Sequence, residues 1–205
     1  TNVKRFLYGY DGDGVRMAMA AGGASNIPRM SGLLQLTVSG APGGEYGTFG
    51  RGDGLVVAGH NAASLWINED GERFCAESAG VENWMADMIP SLMHQKLFSI
   101  YDAKIFKDAY DAMIAPRIDW EATLEELQQR IDENPYGDFF SADSLDELAK
   151  KASEALGLDY DTVLESINTY NDMCEAGDDA YFGKPSEYMQ KLDNPPFYFC
   201  YMPQS

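Results

Sequence analysis

Histidine and cysteine, which often act as proton carriers, nucleophiles and metal ligands, are rare in this sequence. Its 205 residues include two histidines, His60 and His94, and three cysteines, Cys75, Cys174 and Cys200. No two cysteines form a C-x-x-C pair, and an odd number cannot all pair within one chain. Neither a zinc site nor a disulfide framework is therefore predicted. Cys75 and Cys174 have apolar neighbours, and we expect them to be buried rather than reactive.

The short motifs of common active sites are also missing. The sequence has no G-x-S-x-G, no phosphate-binding loop with its lysine, and no H-E-x-x-H. It also has no G-x-G-x-x-G, because the D-G-D-G run at residues 11–14 lacks the third glycine and follows no strand-like segment. Carboxylates are abundant, but most are expected on solvated helix surfaces. Motifs alone indicate no more than an α+β domain.

Composition excludes some classes of partner. The formal net charge is -18, and so acidic a surface repels the phosphate backbone of nucleic acids and acidic membrane surfaces. No apolar run approaches the length of a membrane span. Hydrophobic residues make up 45% and charged residues 23%, which is typical of a globular domain.

The first part of the chain predicts a loop leading into a short helix over residues 11–24, closed by Gly22 and Gly23. Residues 31–58 predict a strand, a long exposed loop and a second strand. The loop, residues 40–54, is rich in glycine and has few apolar anchors, and we expect it to be mobile.

Residues 65–75 predict a hairpin in which two short apolar strands flank a Glu69-Asp70-Gly71 turn. Arg73 and Glu77 are expected to pair beneath it. A helical pattern then runs from Val81 to Met93, and residues 97–101 predict a strand.

Helices are predicted through most of the last part, with N-caps at Asp119, Ser144 and Asp161. Ser144 and Glu147 have the spacing of a capping box. An apolar stripe after Asp161 is expected to face the core: Val163, Ile167, Tyr170 and Cys174. Residues 197–202 predict a final strand. Together these elements indicate an α+β fold, with one small, mostly antiparallel sheet and packed helices.

Three stretches resemble the flavoproteins of the fumarate reductase and succinate dehydrogenase family, which include the flavocytochrome c type. GYDGDGVRMAMAAGGA, residues 9–24, resembles the family's GDG segment. LWINEDGERFCAES, residues 65–78, resembles the family hairpin N-x-x-G-x-R-F-x-x-E. The run at 145–184 and PPFYFCYM at 195–202 resemble a closing helix pair, its Y-N…G-x-D-x-x-F-G-K tail and the returning Pro-Pro-Phe-Tyr strand. All occur in the family's order.

The resemblance implies that this is the substrate-capping segment of a longer FAD-dependent oxidoreductase. Residues 1–30 would be the edge of the FAD-binding domain, 31–198 the capping domain, and 199–205 the start of the return. The implied partners are the flavin-binding remainder of the chain, a small unsaturated substrate and an external electron donor, with no nucleic acid and no membrane span. The family's pyrophosphate loop would precede Thr1, so this segment alone is expected to be inactive and without FAD. The compartment, bacterial cytoplasm or cell envelope, stays open.

The fumarate-reducing members of the family donate a proton from an arginine four residues after the glutamate of R-F-x-x-E. Here that position is Val81, which cannot donate a proton. The relay arginine and glutamate of those members correspond to His60 and Val57, and their substrate-binding histidine corresponds to Leu34. These four departures predict that fumarate is not the substrate.

Two candidate residues have both a functional and a structural interpretation. His60 has a pKa range suited to a proton relay, but a surface histidine at a strand end is the simpler alternative. Asp13, with Gly12 and Gly14, would contact the flavin by resemblance, whereas locally it is a helix cap.

The leading hypothesis is a cap that shapes the substrate pocket of a flavoenzyme acting on a C–C bond next to a carbonyl or carboxylate. The alternative is a stand-alone, non-catalytic binding domain with the cap fold. The sequence flanking this segment separates them, because only the enzyme needs a neighbouring G-x-G-x-x-G.

Overall fold

A computed structural model describes residues 13–23, 61–82, 93–94, 96–114, 124–133 and 139–202. Its helices are α1 (Asp13–Ala20), α2 (Ala79–Glu82), α3 (Ala103–Ala109, followed by a π-helical turn, Tyr110–Ile114), α4 (Leu124–Glu133), α5 (Leu145–Leu156), α6 (Tyr160–Ala176) and a 3₁₀ turn, Ser186–Tyr188. Its strands are β1 (Leu65–Asn68), β2 (Leu97–Asp102), β3 (Phe139–Ala142) and β4 (Phe197–Tyr201).

The four strands form one antiparallel sheet in the order β1-β2-β4-β3. β4, the last strand in the chain, lies between β2 and β3, with Cys200 opposite both Ser99 and Phe139. The predicted α+β class is therefore confirmed. The boundary predicted at residue 199 falls within β4, and the division into domain regions stays a prediction.

Both faces of the central strands are buried. Successive side chains of a strand point to opposite faces, and every residue of β2 is buried, so the sheet is covered on both sides. Phe106 of α3 packs against Tyr101 and Tyr198 on one face, with ring centroids 6.3 and 5.3 Å away. Phe98 and Phe199 pack together on the other face, 5.3 Å apart. α5 and α6 contact each other and the strands β3, β4 and β1.

Of the two predicted helix caps that lie in the described residues, one is confirmed. Ser144 accepts from the amide of Glu147 at 3.2 Å, which confirms the predicted cap of α5. The cap predicted at Asp161 is wrong, because α6 begins two residues earlier. Asp159 is its cap, and accepts from the amide and the hydroxyl of Thr162 at 2.9 and 2.8 Å. The sequence D-Y-D offers two capping carboxylates, and only the first has the extended backbone that a cap needs.

Only the first of the two strands predicted for the hairpin is present as a strand. β1 is confirmed, but on its far side only Arg73 pairs with the sheet, opposite Ile67. At Trp66 the backbone amide donates to the carboxylate of Glu77 at 3.1 Å rather than to a second strand. The turn is held by Asn68, whose side chain accepts from the amides two and four residues later.

Strands 97–101 and 197–202 and the short helix after Gly12 are confirmed, with α1 ending at Ala20 before Gly22, which has a φ of 93°. The predicted apolar stripe is buried at Val163, Ile167 and Tyr170 and half-buried at Cys174. α3 and β3 were not predicted. The predicted strands and mobile loop within residues 31–58, the cap at Asp119, and residues 83–92 of the predicted helix lie outside the described residues.

Gly71 is where the turn and α6 approach most closely. Its φ is 85°, and a Cβ there would lie 3.0 Å from Cγ2 of Val163 and 3.4 Å from its amide nitrogen. The hydroxyl of Ser166 also donates to the Gly71 carbonyl at 2.8 Å. The turn is therefore packed directly against the helix backbone.

We predict that Gly71→Ala lowers the free energy of unfolding by about 1–3 kcal/mol more than Gly157→Ala. Both glycines have positive φ, but a Cβ at Gly157 meets nothing within 4 Å, so only Gly71 adds overpacking to backbone strain. Urea denaturation of the two variants measures the difference. Equal losses would show that the turn yields to an added methyl group.

Candidate functional site

Four charged side chains are buried together beneath β1. Arg73 and Glu77 come from the segment after the turn, and Asp179 and Lys184 from the loop after α6. The side chain of Arg73 is 6% exposed and the other three are 0% exposed. Two positive and two negative groups make a cluster whose formal charges cancel, which burial requires.

Arg73 binds the carboxylates of Glu77 and Asp179, each through a pair of hydrogen bonds. Its Nε and Nη2 donate to the two oxygens of Glu77, each at 2.9 Å. Its Nη1 and Nη2 donate to the two oxygens of Asp179, at 3.0 and 2.8 Å. The two partners lie 4 and 106 positions away in the sequence. Such paired guanidinium–carboxylate contacts are stronger and more directional than single ones.

Two aromatic rings border the guanidinium. Its central carbon lies 5.2 Å from the ring centroid of Tyr170 and 5.0 Å from that of Phe182. Both distances suit a cation–π contact. Phe182 is 40% exposed, so its ring separates the cluster from solvent.

Lys184 uses all three of its donors inside the cluster. Its Nζ reaches a Glu77 oxygen at 3.1 Å, the carbonyl of Ser64 at 3.1 Å and the hydroxyl of Tyr170 at 2.9 Å. Burial lowers the pKa of Lys184, and the charge of Glu77 offsets this only in part. Burial likewise raises the pKa of Tyr170, whose hydroxyl donates to the Ala63 carbonyl at 3.0 Å.

Asp179 also organises its own loop. Its oxygens accept from the amides of Tyr181, Phe182 and Lys184 at 3.2, 3.2 and 3.1 Å. Burial raises the pKa of Asp179, but the hydrogen bonds from Arg73 and from the amides of Lys184 and Phe182 outweigh this and leave the pKa lowered. Burial also pulls the pKa of Arg73 down, and its hydrogen bonds to the two carboxylates raise it overall.

This arrangement is suited to holding structure rather than to catalysis. The Glu77 carboxylate accepts four hydrogen bonds, from Arg73 twice, Trp66 and Lys184, so each of its oxygens has two donors. A buried carboxylate with every acceptor site engaged has no capacity left for a substrate. The predicted pairing of Arg73 with Glu77 is confirmed. The contributions of Tyr170, Asp179 and Lys184 were not predicted, although all three stand in the quoted Y-N…G-x-D-x-x-F-G-K motif.

The cluster leads directly into the turn that carries Val81. The amide of Ala79 donates to the carbonyl of Ala76 at 3.0 Å, and that of Val81 to the carbonyl of Ser78 at 2.9 Å. The side chain of Val81 is 56% exposed, whereas Ser78 is buried. Val81 therefore faces away from the core in the turn at residues 78–82, which directly follows Glu77.

The other candidate residues are not brought together. Asp13 and Gly14 are the first two residues of α1. Gly12, His60, Val57 and Leu34 lie outside the described residues. His94 lies 3.7 Å from Glu69 and stacks near Phe74, with ring centroids 4.6 Å apart.

The described residues contain no group of three or more side chains able to hold a metal ion. Within the same ranges, no helix is long and apolar enough to cross a membrane. The three cysteines all lie in the described ranges and form no disulfide, with Cys75 and Cys200 buried and Cys174 half-buried.

No protein-family model matches the sequence. Over 198 residues it is 30% identical to a vinyl phenol reductase of Lactiplantibacillus plantarum, a match that covers 91% of this chain and 38% of the relative. The chain thus spans well under half the length of that relative.

Three solved structures share the fold. The solution structure of a fumarate reductase flavoprotein subunit from Lactobacillus plantarum matches at a TM-score of 0.53 and 19% identity, over 71% of this chain and 86% of that one. The open conformation of a flavocytochrome c3 fumarate reductase also gives 0.53, at 20% identity over 95% of this chain and 28% of that one. A 3-ketosteroid Δ1-dehydrogenase from Sterolibacterium denitrificans, in complex with 1,4-androstadiene-3,17-dione, gives 0.53 at 18% identity, over 94% of this chain and 34% of that one. The resemblance stated from the sequence is confirmed.

We predict that Asp179→Asn lowers the free energy of unfolding by about 3 kcal/mol at neutral pH, because it breaks one side of a buried ionic network. The pKa of Asp179 is depressed in the folded state. Its stabilisation is therefore full above the unfolded pKa of about 4 and is lost as the pH falls through the lower folded pKa.

Urea denaturation between about pH 3 and pH 7 measures this difference. The gap between the native protein and Asp179→Asn should narrow below about pH 4. Asp178→Asn, which removes the exposed neighbouring carboxylate, is the control and should follow the native curve. A gap that stays constant over the whole range would contradict the role given to the Asp179 carboxylate.

Proposed function

We propose that this chain, which resembles the fumarate reductase-like flavoproteins in sequence and fold, is the substrate-capping segment of a longer FAD-dependent oxidoreductase. The observation that carries the proposal is the match along 91% of the chain to a reductase, together with the buried cluster that explains the hairpin and tail motifs. In the whole protein the cap would close over the cofactor, exclude water and shape the substrate pocket.

Little of a flavin site is expected within this segment itself. Of the described residues, only α1 corresponds to the family's flavin-contacting stretch. Its first residues, Asp13 and Gly14, stand at the positive end of the helix dipole, and this fits a polar cofactor group nearby. With Gly12 they are the residues proposed to face FAD. When bound, FAD would exchange a hydride with the substrate.

The residue at position 81 argues for the substrate class. Val81 is exposed on the turn where fumarate-reducing relatives would place an acid arginine, so that wall of the pocket would be apolar and without a proton donor. An apolar wall leaves a carboxylate of the substrate unpaired, which is costly. It suits a bulkier, uncharged alkene. Vinyl phenol, in the name of the relative, has a C=C bond conjugated to an aromatic ring and no carboxylate.

The remaining parts of the proposal follow from this one. The principal partner is the flavin-binding remainder of the same chain, which residues 1–30 and 199–205 would enter. An external electron donor would reduce the flavin. The proton that completes reduction of the C=C bond must come from a group other than Val81.

We predict that the full-length flavoprotein, driven by reduced viologen, turns over 4-vinylphenol at least about a hundredfold faster than fumarate, since a missing general acid typically costs 10²–10⁴ in rate. Val81→Arg should slow the uncharged alkene, because it places a charge in the apolar wall. Val81→Ile, which keeps the wall apolar, is the matched control and should retain activity on 4-vinylphenol. Rapid fumarate turnover that Val81→Ala leaves unchanged would overturn the assignment.

We also predict that the 205-residue segment purifies without yellow colour, because the pyrophosphate-binding loop expected in such enzymes is absent from it. Absorbance in the flavin bands after gel filtration with added FAD measures this, and the full-length protein is the positive control. Flavin that stays with the isolated segment through the column would refute the prediction.

A further inference from the structure

We infer that Glu77 and the cluster around it position the turn at residues 78–82, and thereby set the wall that Val81 presents to the substrate. The part of the inference that places a substrate next to Val81 rests on the proposed function. The positioning itself rests on contacts within the described part of the chain. Glu77 is here a positioning residue, since its carboxylate is buried away from any surface.

The anchor of the turn is the Glu77 carboxylate, which accepts four hydrogen bonds. The Glu77 carboxylate is tied to β1 through the amide of Trp66 at 3.1 Å and to the loop after α6 through Lys184 at 3.1 Å. Arg73 holds it from the preceding segment with two bonds of 2.9 Å. Donors on three separate segments fix a carboxylate in position and orientation, so the backbone that carries it has little freedom.

The turn depends on that anchor. Ser78 is buried directly after Glu77, and backbone hydrogen bonds from Ala79 to Ala76 and from Val81 to Ser78 form the turn that follows. Val81, four residues beyond Glu77, is exposed. The turn begins directly after Glu77, so fixing the Glu77 carboxylate restricts the position and direction of the backbone that leads to Val81.

The energetics favour this function over simple stabilisation. Burying four charges costs desolvation that their attraction barely repays, and a well-packed apolar set of the same volume would be as stable. In some proteins buried ionic groups serve to fix a single geometry, and this is the function inferred for the cluster. The Arg73–Glu77–Asp179–Lys184 cluster makes sense where the location of the next four residues matters.

The test compares two buried carboxylates in the full-length protein. Glu77→Gln breaks the anchor. Asp102→Asn is the matched control: Asp102 is also fully buried, caps α3 through the amide of Ile105 at 2.9 Å, and holds Asn194 at 3.1 and 3.0 Å, sharing no partner with Glu77. Glu77→Asp, which keeps the charge on a shorter side chain, serves where Glu77→Gln does not fold.

Two readouts are measured. Hydrogen exchange of the Ala79 and Val81 amides should accelerate at least about tenfold in Glu77→Gln, less in Glu77→Asp, and not in Asp102→Asn. The KM for 4-vinylphenol should rise severalfold in Glu77→Gln with a smaller change in kcat, because a displaced wall weakens substrate binding in the ground state as well as the transition state.

The outcomes separate the two hypotheses. Equal acceleration of exchange in Glu77→Gln and Asp102→Asn, or none in either, overturns positioning by Glu77. Faster exchange with unchanged KM overturns the link to the substrate wall. A full-length protein that binds FAD but reduces no alkene defeats the proposed function, while the exchange experiment still decides the positioning.

Discussion

The guanidinium of Arg73, held by two carboxylates at once, is the interaction on which the rest of the site depends. Each carboxylate is buried and needs a cation, and Arg73 serves both in one plane. Without Arg73, Lys184 would be the one cation left among the described side chains of the cluster to neutralise the buried carboxylates of Glu77 and Asp179. A partly satisfied buried network is worse than an apolar core, so the cluster is stabilising only when complete.

The cluster joins two distant segments of the chain, the one after β1 and the loop after α6. The pair Arg73 and Asp179 is separated by 106 positions, and neither half of the cluster is satisfied alone. Helices α5 and α6 begin from local signals, and the loop after α6 has local hydrogen bonds to Asp179, but the charges of Asp179 and Lys184 are neutralised only by residues of the segment after β1. The hairpin motif and the tail motif are therefore two halves of one structure, which accounts for their occurring together in this sequence.

The elements that could be predicted are those with local causes. Ser144 marks a helix start because its own hydroxyl caps the helix. The turn of the hairpin is predicted by two adjacent residues, Asp70 and Gly71. β3 was missed because F-F-S-A is only four residues long and does not alternate apolar and polar residues. Arg73 and Glu77 were predictable as a pair because they have opposite charges and lie close together in the sequence, directly after the hairpin turn. Asp179 and Lys184 were not, because nothing local indicates that a charged residue in an acidic tail will be buried.

The same completeness bears on how a cap of this kind would work. Every buried charged side chain in the described ranges finds its partners within this chain: Glu77, Asp102, Asp179 and Lys184 all have hydrogen bonds to neighbouring segments. A domain that relied on its flavin-binding partner to neutralise a buried charge would pay a desolvation penalty each time it opened. Opening of a cap of the proposed kind would leave these four side chains paired, so such a cap would move as a unit while the turn at residues 78–82 kept its geometry. A substrate wall that must be reassembled at each closure would be slow and imprecise, whereas one anchored to a closed ionic cluster arrives already formed.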